Sequence, residues 1–130
     1  MSELAIIYET DKALANTPGI KMVKFEADWD SNEAVTAEIT GNIHGRLISA
    51  YVQPKTGGDA PDGPIDFELR DPGGWDFLKG AGSSCSNTAS SELCVAGLMA
   101  FPDTRGTLWL NPTGSAGGAL GQIVWETPGR

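Results

Sequence analysis

The stretch that decides the fold runs from Ile65 to Gly82 and reads IDFELRDPGGWDFLKGAG. Ile65, Phe67 and Leu69 alternate with Asp66, Glu68 and Arg70. This is the period of two expected of a strand with one buried face and one wet face. Asp71-Pro72-Gly73-Gly74 then reverses the chain, because proline fixes φ and glycine tolerates positive φ. Trp75, Phe77 and Leu78 resume the apolar pattern before Gly80 and Gly82 end it. The reading is a β-hairpin that anchors a core.

The same alternation recurs on both sides. Val23, Phe25, Ala27 and Trp29 share one face of a strand over 20–29, with Lys24, Glu26 and Asp28 on the other. Asp30-Ser31-Asn32 is a turn cluster. Val35, Ala37 and Ile39 then form a second strand, expected to pair with the first as a hairpin. Gly41-Asn42 reads as another turn. Ile43 to Gln53 reads as a third strand of ambiguous buried face, since Leu47 and Tyr51 oppose Ile48, Ala50 and Val52. Leu108 and Leu110 point inward from a strand over 104–111, which leaves Trp109 outward. Ala119 to Thr127 is the last strand. Leu93 to Phe101 is the most apolar run and fits a buried strand or a short helix equally. Leu4 to Thr10 fits a first strand or an arm that docks on a neighbour, and Asp11 to Asn16 fits one helical turn before Pro18-Gly19.

Frequent turns follow from 17 glycines and 8 prolines in 130 residues. The expected architecture is all-β: an antiparallel β-sandwich of jelly-roll or immunoglobulin-like type with about eight strands. Residues 1–19 form an N-terminal strand or assembly arm, and residues 20–130 one domain. The loop over 54–64 has no apolar side chain larger than alanine, and the uncharged run over 83–91 is expected to be flexible.

The formal net charge is −8. An acidic surface repels phosphate backbones and anionic membranes, so neither nucleic acid nor membrane is an expected partner. No stretch approaches the roughly 20 apolar residues of a membrane span. The start has no basic, apolar leader pattern, so synthesis in a cytoplasm is expected. Cys85 and Cys94 are spaced for neither a redox pair nor a zinc site. They are two free thiols, or a disulfide that closes the loop between them and stabilises by ~2.5–3 kcal/mol.

Catalytic chemistry finds little support. His44 is the single histidine, and Ser49 lies in no nucleophile elbow. Asp28-Trp29-Asp30-Ser31-Asn32 opens like a calcium loop, but Glu33 and Ile39 stand where glycine and glutamate are needed. Asp62, Asp66, Glu68, Asp71 and Asp76 crowd one region as a glycosidase pair would require, yet they read as a solvated face beside Arg70. The glycine runs 80–82 and 114–118 lack phosphate-cradling context. No catalytic residue, cofactor or metal ligand is therefore assigned, and the chain is not read as an enzyme. Trp29 belongs in the core, while Trp75, Trp109 and Trp125 are open to a binding role.

The run from Lys21 to Gly82 resembles small structural proteins of tailed bacteriophages. It carries their strand ending in Asp28-Trp29, a strand starting at Gly45, a proline- and glycine-rich loop to Pro64, and an aspartate-rich hairpin. Gly106 to Asn111 and Ile123-Val124-Trp125 resemble the closing strands. The chain departs from that pattern at Pro72 to Trp75 and in its cysteines. The resemblance implies a virion component, first a capsid decoration (cement) protein that bridges capsid subunits on the outer shell. Its partners would be the major capsid protein and itself, as a homo-oligomer matching local symmetry, most simply a trimer. Leu4, Ile6, Tyr8 and Trp109 are the expected contact residues. A neck, tail or fibre component is the alternative within the virion, and a carbohydrate-binding β-sandwich the alternative outside it.

Overall fold

The computed structural model describes residues 2–9, 19–92, 100–112 and 116–128. These form an all-β antiparallel fold of seven strands: β1 (Glu3–Glu9), β2 (Gly19–Trp29), β3 (Val35–Pro54), β4 (Ile65–Arg70), β5 (Ser91–Glu92), β6 (Ala100–Pro112) and β7 (Gly117–Thr127). They join in one sheet of order β1-β2-β7-β3-β6-β4, with β5 on β3. The sheet folds over on itself, so the whole resembles a sandwich closing towards a barrel. The helical turn expected over 11–16 and most of the apolar run over 93–101 lie outside the described residues.

β2 and β4 match their alternation. Val23, Phe25, Ala27 and Trp29 are buried from one, and Ile65, Phe67 and Leu69 from the other. Phe25 and Phe67 stack at 4.9 Å between ring centroids with 15° between planes. These strands stand far apart in the sheet order, so the stack joins the two layers. Leu108 and Leu110 of β6, with Ile123 and Trp125 of β7, fill the space around it.

β3 departs from expectation in two ways. It does not form a hairpin with β2, because β7 lies between them and pairs with both. Nor does the chain turn back at Gly41-Asn42. β3 runs on through a bulge, Glu38 facing Thr107 and Asn42 facing Arg105, so residues 39–41 oppose Gly106 alone. Gly106 explains the arrangement. A methyl group there would lie 3.1 Å from Ile43 and 3.7 Å from Ile39, so its missing side chain lets both isoleucines enter the core. Two further bulges follow, at Ile43/Gly45 and Leu47/Ser49. Each bulge shifts the in-out phase. This is why Ile43, Ala50 and Val52 are all buried while Ile48 is exposed.

The first half of β3 pairs with β6 and the second half with β7, with Arg46 as the hinge partner of both. β3 thereby passes from one layer to the other. β1 docks on β2 as a first strand, with a bulge between Ile6 and Tyr8.

The hairpin at Ile65 also needs correction. β4 and its turn form, but the return leg is not a strand. Residues 75–85 descend through successive turns and touch β4 at the bridges Arg70–Asp76 and Ile65–Cys85. Phe77 and Leu78 still enter the core. The amides of Phe77, Phe67 and Cys85 bond to Leu69, Gly82 and Ile65 carbonyls at 2.7–2.9 Å. Gly82 is required by this close approach, since a Cβ there would fall 2.1 Å from the Phe67 oxygen.

Candidate functional site

Three of the carboxylates that crowd the Ile65 region, Asp66, Asp71 and Asp76, are occupied in holding backbone. Asp76 accepts hydrogen bonds from the amides of Leu69 (3.2 Å), Leu78 (2.9 Å) and Gly80 (2.9 Å). Asp71 accepts from Trp75 and Asp66 from Ser84. Glu68 pairs with Arg70 at 2.8 Å. Asp76 is thus a bracket for the turns that replace a strand, a role the alternation alone did not expose. Asp76→Ala should cost about 2–3 kcal/mol, because three amides lose a charged acceptor. Glu68→Gln at the surface pair should cost under about 1 kcal/mol. Urea denaturation midpoints separate the two.

The residues of the calcium-like turn are likewise engaged. The Lys55 ammonium bonds to Glu26 at 2.8 Å and Asp28 at 2.9 Å, occupying the place a cation would take. Asp30 accepts from the Ser2 hydroxyl at 3.0 Å. Among the described residues no group of three or more His, Cys, Asp or Glu could hold a metal ion. Burial pulls the Lys55 ammonium down, but the hydrogen bonds to Glu26 and Asp28 outweigh it and its pKa rises. A raised lysine pKa stabilises the fold below the ordinary lysine value, and that contribution fades only as pH rises through the folded value. This latch ties the 54–64 loop to β2 throughout neutral pH.

His44 is half-buried, and its Nδ1 has no hydrogen-bond partner among the described residues. Ser49 therefore makes no hydrogen bond to that nitrogen. Cys85 is a buried free thiol that donates to the Gly82 carbonyl at 3.3 Å. Its proposed partner Cys94 lies outside the described residues. Burial, aided by the charge of Asp66, pushes the Cys85 thiol above its ordinary pKa. Since the thiolate is the nucleophile, Cys85 should alkylate at least about tenfold more slowly in the native protein than in urea at pH 8. Peptide mapping after iodoacetamide treatment reads this site apart from Cys94.

The expected contact residues fall into different settings. Leu4 is turned into the chain's own core and is unavailable to a neighbour. Ile6 and Tyr8, with Ile7, Glu9, Ala37 and Glu38, line an open groove of about 400 Å³ between β1 and the first half of β3. Glu38 is ion-paired to Arg105. Trp109 faces outward as alternation required, but the Arg70 guanidinium lies 3.9 Å above its ring, so its own chain covers it in part. The tryptophan that stands free is Trp75, 53% exposed and edge-on to Phe77. A second groove, about 480 Å³, is lined by Gly19, Gly45, Arg46, Glu126, Thr127 and Pro128. Neither groove gathers a nucleophile with a base.

Exposed apolar side chains are the more telling feature. Ile7, Tyr8, Ile20, Ile48 and Trp75 are each between 50% and 56% exposed. The signal for Ile20 was present in the chain, since it occupies the wet phase of β2; Ile48 and Tyr8 sit beside bulges that only the strand register reveals. Comparison with family models, curated proteins and solved structures found no match to this chain.

Proposed function

We propose that this protein is a structural component of a virion, acting as a capsid decoration protein that binds across joints between capsid subunits. One observation carries the reading. The polar side chains of the aspartate-rich region and of the calcium-like turn are committed to the protein's own backbone and ion pairs, while large apolar side chains stand at the surface. Apolar surface suits burial against another protein. The pattern resemblance of residues 21–82 to phage structural proteins supplies the particle context. Catalysis has no part in the proposal.

The test is the position of the protein in purified particles, by labelling or electron microscopy. Many copies spread over the shell support decoration. A few copies at one vertex move the protein to the neck or tail. Absence from particles overturns both. Exposed Trp75 on its acidic turn favours one alternative, a carbohydrate-binding module, which a glycan array checks directly.

A further inference from the structure

We draw no further inference here: the strongest candidate, the open groove between edge strand β1 and the first half of β3 along which Ile7 and Tyr8 are exposed, carries nothing, because nothing among the described residues shows what covers it.

Discussion

Gly45→Val unfolds the protein or leaves it marginal. Gly45 sits at the bulge where β3 passes between layers, with φ of +123°. Side chains rarely adopt that backbone conformation, which costs about 1–3 kcal/mol of strain. The space is also missing. A Cβ would fall 1.9 Å from the Glu126 carbonyl oxygen and 2.8 Å from Thr127 Cα. Those atoms are backbone of β7, which β2 pins from its far side along eleven registered positions. They cannot withdraw without opening the β3–β7 pairing, so overpacking adds about 1–3 kcal/mol or more. The sum, about 2–6 kcal/mol, is a large part of the 5–15 kcal/mol that holds a domain together. Two controls isolate the causes. Gly57→Ala meets positive φ of +70° in open space, and should cost about 1–2 kcal/mol. Gly58→Ala meets open space at an ordinary φ and should be close to neutral. Urea unfolding of the three variants orders them Gly45, Gly57, Gly58, and a Gly45→Val protein as stable as Gly57→Ala would refute the hinge argument.

The same glycine shows where sequence reading works and where it stops. Alternation located β2 and β4 and their buried faces, because a strand with one wet side writes its pattern into adjacent residues. At Gly41-Asn42 the residues that favour a hairpin turn are also those that favour a bulge, since both need backbone freedom that side chains restrict. Only the partner decides between them, and the partner here is Gly106 on β6, some 65 residues away. The insertion of β7 between β2 and β3 is equally non-local. Alternation says that a strand has a partner but not which one. Asp76 was readable as a polar position on a hairpin, yet two of its three amides, Leu78 and Gly80, come from turns that no period predicts.

Phe25→Ala and Phe67→Ala are expected to be the most damaging core truncations, about 3–5 kcal/mol each. Both rings are fully buried, and each is the other's main contact across the layers. The Phe25 ring also lies over Gly121 of β7, where a Cβ would come within 2.2 Å of its tip, so that strand is shaped to receive it. Removing either ring leaves a cavity that rigid, paired strands on both sides cannot collapse. The double variant should lose less than the sum of the singles by about 0.5–1.5 kcal/mol, the coupling of a stacked aromatic pair. Where the doubly truncated protein is too unstable to measure, Phe25→Leu and Phe67→Leu give the same cycle at smaller amplitude. Additive losses would mean that each ring acts through its own layer. Coupled losses mean that a single stack, contributed by β2 and β4 from opposite ends of the sheet order, fastens the curled sheet into a closed body.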